Sequence, residues 1–109
     1  MALYMTRAKL SNEAFKGYVE NPSDREAALQ KLTGGLGMTM YKMYFSVSTA
    51  EIVTIAEGTA DAMAAAEMVI GSSGTTTGIE VIELIDSKSM TAAMETANKV
   101  VSAYQAPNK

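Results

Sequence analysis

The chain has 109 residues, 48% of them hydrophobic and 19% charged, with a formal net charge of -3 and a pI near 4.9. This size and composition predict one folded domain whose core needs neither disulfides nor a structural metal. The acidic balance and the scattered basic residues argue against nucleic acid or an anionic membrane surface as a partner.

Cysteine and histidine are both absent from the chain. Thiolate catalysis, imidazole bases and the usual zinc ligand sets are therefore excluded, and we expect no cofactor and no metal site. The first ten residues lack the charged start and long apolar core of a signal peptide, and no uncharged apolar run approaches the roughly 20 residues of a membrane span. These features predict a cytoplasmic protein.

A strand is predicted at the start of the chain, from Ala2 to Leu10. Its residues alternate in a period of two, which places odd and even positions on opposite sides. One side carries Tyr4, Thr6, Ala8 and Leu10, and the other carries Leu3, Met5, Arg7 and Lys9.

Two helices are predicted next. Ser11 caps a short helical segment that the following proline interrupts. Ser23 and Glu26 have the Ser-x-x-Glu spacing of a capping box, which predicts a further helix over residues 24–33. The glycine pair that follows is expected to stop this helix.

The most informative stretch contains two predicted strands, residues 37–47 and 51–57, around a short Ser-Thr-Ala turn. Val, Ile, Tyr, Phe and Thr dominate both strands, and apolar side chains occur on both of their faces. One face of a sheet can pack on the protein's own helices, but a second apolar face needs another cover. This pattern predicts assembly or an enclosed cavity.

An alanine-rich helix and a fourth strand are predicted in the second half. Thr59 or Asp61 begins the helix, which ends at Gly71 and is apolar nearly all round. A polar connection leads to the strand, residues 79–85.

Asp86 or Ser87 caps the last predicted helix, which covers roughly residues 88–104. One of its faces is apolar and carries Met90, Ala93, Met94, Ala97, Val100, Val101 and Tyr104. Residues 105–109 are predicted to form a flexible tail after a single domain of residues 1–104.

The predicted element order is β-α-β-β-α-β with an additional C-terminal helix. This is the split βαβ pattern of a ferredoxin-like α+β fold with one antiparallel sheet. In that fold the first and third strands are central, and the fourth and second lie at the edges.

With these elements assigned, the chain resembles the GYD-domain family, small ferredoxin-like proteins related in architecture to the dimeric α+β barrels. The resemblance rests on Tyr4-x-Thr6, the Ala27/Ala28 helix leading to Gly34-Gly35, Tyr44, the run Ile52 to Glu57, the helix ending Gly71-Ser72-Ser73-Gly74, and Thr75-Thr76-Thr77. Where the family pattern has Gly-x-Tyr-Asp, this chain has Ser48-Thr49-Ala50-Glu51, so only the acidic position is approximately kept. The resemblance implies architecture more than activity, because the family has no well-established reaction.

Four side chains are candidates for a ligand cavity, since polar tips in an apolar pocket are typical of small-molecule sites. They are Tyr4, Arg7, Tyr41 and Tyr44. Alternatively, the tyrosines lie half-buried at an interface with their hydroxyls in water. The nine methionines favour core packing over soft-metal binding, and the carboxylates favour capping and solvent contact.

Two functions are compatible with the sequence. The first is a homo-oligomer, a dimer or higher, that acts as a structural or small-ligand-binding domain, with a small apolar molecule as the candidate ligand. The alternative is a cofactor-independent enzyme of the oxygenase or isomerase type, acting on a small apolar or aromatic molecule in a sheet-lined cavity. If the terminal helix covered the free sheet face instead, the protein would be a monomer.

Overall fold

A computed structural model describes residues 1–108 of the chain. Its elements are β1 (Ala2–Leu10), α1 (Asn12–Glu20), α2 (Arg25–Gly35), β2 (Thr39–Ser46), β3 (Glu51–Gly58), α3 (Ala60–Ser72), β4 (Thr76–Leu84) and α4 (Ser87–Val100), followed by a 3-10 turn (Val101–Ala103). This order confirms the predicted β-α-β-β-α-β pattern with its additional helix. Among the described residues, no helix has both the length and the apolar content needed to cross a bilayer.

The four strands form one antiparallel sheet in the order β2-β3-β1-β4. The first and third strands are therefore central, as the ferredoxin-like fold requires. The sheet extends further than predicted at β4, which begins at Thr76 because Leu10 still pairs with it there. The α+β fold class is confirmed.

The two faces of the sheet differ in what covers them. The helix face packs against α2 and α3 and carries Tyr4, Thr6, Ala8, Met40, Met43, Thr54 and Ala56. The open face carries Leu3, Met5, Arg7, Lys9, Tyr44, Glu51, Val53, Ile55, Glu57, Glu80, Ile82 and Leu84. Within residues 1–108, no helix covers the open face.

The core lies on the helix face and is rich in methionine. Met38, Met40, Met43 and Met63 are buried in it together with Tyr4, Ala56 and Ala66. Methionine is flexible and fills irregular gaps, so the predicted packing role holds for these four side chains. Gly58 permits this packing, because a Cβ there would lie 2.7 Å from the Met38 Cγ.

The start of α2 differs from its prediction. Asp24, rather than Ser23, caps the helix: its carboxylate accepts hydrogen bonds from the amides of Glu26 and Ala27 at 3.0 and 3.2 Å. A carboxylate at this position also interacts favourably with the helix dipole. Glu26 consequently does not close a capping box, and instead accepts a hydrogen bond from the Met43 amide on the edge strand β2 at 2.8 Å.

Helix α4 extends away from the rest of the chain. Its start is capped by Asp86, whose carboxylate accepts a hydrogen bond from the Ser89 amide at 2.7 Å, and every residue of α4 is exposed. The radius of gyration is 18.2 Å, whereas a compact chain of this length has about 13 Å. The alternative in which α4 covers its own sheet is therefore wrong for this structure. The flexible tail at 105–109 stays a prediction, and Lys109 lies outside the described residues.

Candidate functional site

A cavity of about 240 Å³ lies between the helix face of the sheet and helices α2 and α3. Its floor is formed by Thr6, Ala8, Thr54 and Ala56 of the central strands, and its walls by Ala28, Leu29, Leu32, Met63, Ala66 and Ile70. The cavity exists because small side chains of β1 and β3 lie below a small side chain of α3. Ala56 of β3 and Ala66 of α3 both border the cavity, and neither has a side chain long enough to fill it.

The floor of the cavity carries one pair of hydroxyl groups. Thr6 and Thr54 are direct partners on the two central strands, and their side-chain oxygens are hydrogen-bonded to each other. Thr33, also in the lining, already donates its hydroxyl to the Leu29 and Gln30 carbonyls. A bonded pair of hydroxyls uses one of its two protons, so the second proton and the remaining lone pairs are available to a ligand.

Replacing Thr6 or Thr54 with valine tests this pair. Each single change should lower the free energy of unfolding by roughly 1 kcal/mol, because one hydroxyl then lacks its partner. The double variant should lose less than the sum of the two by at least about 0.5 kcal/mol. Urea unfolding at fixed protein concentration measures this, with exposed Thr39→Val as the control; strictly additive losses would show that the hydroxyls do not interact.

The four predicted ligand residues are divided between the two faces of the sheet. Arg7 and Tyr44 lie on the open face, and Tyr41 reaches it beside the bulge between Met40 and Lys42. Tyr4 lies on the helix face, where it is 7% exposed and part of the core. Residues three apart on a strand point to opposite sides, so Tyr4 and Arg7 cannot line one cavity on the open face.

The polar tips on the open face have partners within the sheet. The Arg7 guanidinium donates to the Glu51 carboxylate at 3.1 Å, and the Tyr41 hydroxyl donates to the Glu57 carboxylate at 2.9 Å. That hydrogen bond raises the pKa of Tyr41 above its ordinary value of 10.0, so the phenol is protonated at neutral pH, as an unperturbed tyrosine also is. The arrangement holds one ion pair and one neutral hydroxyl on a carboxylate, so each of these polar tips already has a partner within the sheet.

Glu51 stands at the acidic position of the family's Gly-x-Tyr-Asp pattern. The Thr49 hydroxyl, and next the Arg7 guanidinium, lower the pKa of Glu51 below its ordinary value of 4.5. Ala50, where the pattern has tyrosine, adopts a left-handed backbone with φ of 56°, and its carbonyl accepts a hydrogen bond from the Leu10 amide at 2.9 Å. The acidic residue thus anchors the turn to the first strand even without the tyrosine.

The lowered pKa of Glu51 predicts a pH dependence of stability. The contribution of the Glu51 carboxylate to stability is fully present above its ordinary pKa of 4.5. This contribution is lost as the pH falls through the lower pKa of the folded state. Between about pH 6 and about pH 3, the melting temperature of the native chain should therefore fall more than that of Glu51→Gln. Exposed Glu20→Gln serves as the control and should follow the native curve. If Glu51→Gln also followed that curve, the carboxylate would contribute nothing to stability.

The sequence predicted a sheet-lined cavity, but the residues assigned to it are not in the lining of this one: Tyr4, Arg7, Tyr41 and Tyr44. Its residues are mostly threonine, alanine, methionine, isoleucine and leucine, which carry no catalytic or ligand-binding motif. The one available signal was the small side chains at Ala8 and Ala56 on neighbouring strands, which could not be connected to Ala66 before the helix was placed.

Comparisons with known proteins place this geometry in context. A family model, described as GYD domain, matches residues 4–94. No curated protein matches the chain. Among solved structures, the crystal structure of protein Atu4242 from Agrobacterium tumefaciens is similar with a TM-score of 0.51 at 17% sequence identity, covering 80% of this chain and 94% of that one. At this identity the likeness shows the fold alone.

Proposed function

The chain belongs to the GYD domain family, and from this premise we propose that it is a homo-oligomeric domain that binds one small apolar molecule per chain between its sheet and its helices. The observation that carries the proposal is the apolar cavity with a single hydroxyl pair in its floor. Pockets with a few placed polar groups among apolar walls are typical of small-molecule sites.

The size of the cavity limits the ligand. A dry apolar cavity of about 150 Å³ can take benzene, whereas pockets for drug-sized molecules start at about 300 Å³. At about 240 Å³, the cavity fits one or two fused aromatic rings or a short branched alkyl group. A hydroxyl, carbonyl or ring N–H on that ligand could bond to Thr6 or Thr54.

The ligand can enter from solvent. The lining of the cavity continues to the exposed side chains of Arg25 on α2 and Ser73 after α3. Thr54 and Ala56 in the floor are only 6% and 4% exposed, so lining side chains must shift for a ligand to reach them.

The open face supports the homo-oligomeric part of the proposal. Its central rows are apolar, with Met5 directly between Ile55 and Ile82, and Leu3 beside Leu84. Each of these side chains is already half-buried within the chain, so a partner adds only part of the roughly 1.5–3 kcal/mol that full burial contributes, and several of them together are needed to offset an association cost of about 4–15 kcal/mol. A second copy of the chain is a partner that is present wherever the protein is made.

Titration calorimetry of the purified full chain with indole tests the ligand proposal. Indole is apolar, has two fused rings and carries one N–H that a threonine oxygen can accept. We expect saturable binding with one site per chain. A bulky anionic naphthalene sulfonate should not compete for that site. No saturable heat up to the solubility of indole, together with no co-purified organic molecule by native mass spectrometry, would contradict the proposal.

A further inference from the structure

We infer that α4 is an exchanged arm, whose apolar stripe packs on the open face of a second copy while the partner's α4 packs on this one. The inference rests on the proposed homo-oligomer and names the element that covers its open face. We define the stripe as Met90, Ala93, Met94, Ala97 and Val100.

Within residues 1–108, no other element covers the stripe. Met94 is 57% exposed, and Tyr104 beyond the helix end is 73% exposed. Lys88, Glu95 and Lys99 lie on the opposite side of the helix, so α4 is amphipathic, and its apolar side is exposed in the part of the chain that the structure describes. A helix of 14 residues is only marginally stable alone in water, and most helices are stabilised by packing of their apolar side. The stripe therefore requires a partner surface.

The uncovered surface is large enough for a stable interface. The chain exposes 7608 Å², whereas a compact monomer of this mass exposes about 5,800 Å², an excess of roughly 1,800 Å². A standard protein interface buries about 800 Å² on each partner. The additional exposed area is therefore larger than the area that one chain buries in a standard dimer interface.

Each chain has one uncovered helix stripe and one uncovered sheet face. The end of β4 at Leu84 is joined to α4 by Ile85 and Asp86 alone, and the Asp86 cap fixes the first turn of the helix where the strand ends. This short connection directs α4 away from its own sheet. Reciprocal exchange between two copies about a two-fold axis covers both surfaces at once, as in domain-swapped dimers.

The position of the apolar residues on the open face indicates where the arm lies. Leu3, Met5, Ile55, Ile82 and Leu84 occupy the half nearest the start of α4, together with Glu57, whose carboxylate accepts the Tyr41 hydroxyl. The other half carries the charged side chains Arg7, Lys9, Glu51 and Glu80 beside Val53 and Tyr44. The apolar half therefore takes the stripe.

The charge distribution also favours exchange. Residues 1–86 carry six basic and eleven acidic side chains, a net charge of -5, whereas residues 87–109 carry three basic and one acidic, a net charge of +2. Two bodies of like charge repel, but exchange brings the positively charged arm of each copy near the negatively charged body of the other, while Lys88 and Lys99 stay on the solvent side of α4.

Crosslinking of the full chain tests this arrangement, and the absence of native cysteine makes it specific. Met94→Cys chains, co-expressed with Met5→Cys chains, should form a mixed crosslinked dimer with a short bismaleimide. Ala92→Cys, on the polar side of α4, should give at least about tenfold less product with Met5→Cys. Preferential self-crosslinking of Met94→Cys would instead show helix-to-helix pairing. Crosslinking within single chains of Met5→Cys/Met94→Cys would show that α4 covers its own sheet. Either result would overturn the inference.

A matched pair of charge substitutions gives a second test by sedimentation. Ala93→Asp lies in the stripe and should weaken dimerisation at least about 100-fold, while Ala92→Asp should change it by less than about threefold. If both variants dimerise like the native chain, the arm inference fails and the proposed homo-oligomer stands. If the native chain is itself a monomer, both fail.

Discussion

Replacing Met5 with aspartate should convert the full chain from an oligomer to a monomer at micromolar concentration. Met5 lies in a central strand on the open face, directly opposite Ile55 and Ile82. If a second copy covers this face, the substitution buries an unpaired carboxylate among apolar side chains. We expect a loss of at least about 3 kcal/mol in association, which is more than 100-fold in the dissociation constant.

The matched control is Met68→Asp. Met68 is 71% exposed on α3, away from the open face, so the same substitution there should leave the oligomer intact. Light scattering on a sizing column gives the mass of each variant, and far-ultraviolet circular dichroism checks that each is folded. A folded Met5→Asp chain with the native mass would mean that the open face is not the interface.

Replacing Ala66 with phenylalanine should abolish ligand binding while the fold is retained. The Ala66 side chain faces the cavity from α3, so a phenyl ring built on it occupies the space proposed for the ligand. Overpacking of a filled core costs about 1–3 kcal/mol, but here the cavity accepts the ring, and the free energy of unfolding should change by less than about 2 kcal/mol. Indole affinity should fall at least about 100-fold.

Exposed Ala64, on the same helix, provides the control Ala64→Phe, which should bind indole like the native chain. Calorimetry measures the affinities, and urea unfolding measures the stabilities. Normal indole binding by Ala66→Phe would place the ligand elsewhere, whereas weakened binding by both variants would point to a general effect on α3.

The bounds of β1 could be predicted from local periodicity, and the sheet order could be predicted from the order of the elements. The alternation from Ala2 to Leu10 fixed the bounds of β1 to the residue, and the element order was sufficient for the ferredoxin-like topology. The cap of α2 was less determined, because Ser23 and Asp24 are both good N-caps and their sequence spacing cannot decide between them. The start of β4 is set by its pairing with β1. The polar residues before Gly78 show no local strand pattern, so this start could not be predicted from the sequence.

The candidate sites were harder to predict, for two physical reasons. The alternation of side chains along a strand places Tyr4 and Arg7 on opposite faces of the sheet. The four predicted ligand residues therefore cannot line one cavity. The cavity depends on the absence of atoms where β1, β3 and α3 meet, and a void leaves no residue pattern in any one of these elements. The apolar stripe of α4 was predicted, but its lack of cover within the chain depends on where the helix lies.

The solution mass of the native full chain tests the central claim of homo-oligomerisation most directly. Light scattering on a sizing column at micromolar concentration should give the mass of two chains of 11.5 kDa each. That mass should persist on dilution through the low micromolar range. A mass of one chain throughout would contradict the proposed assembly and the exchanged arm together.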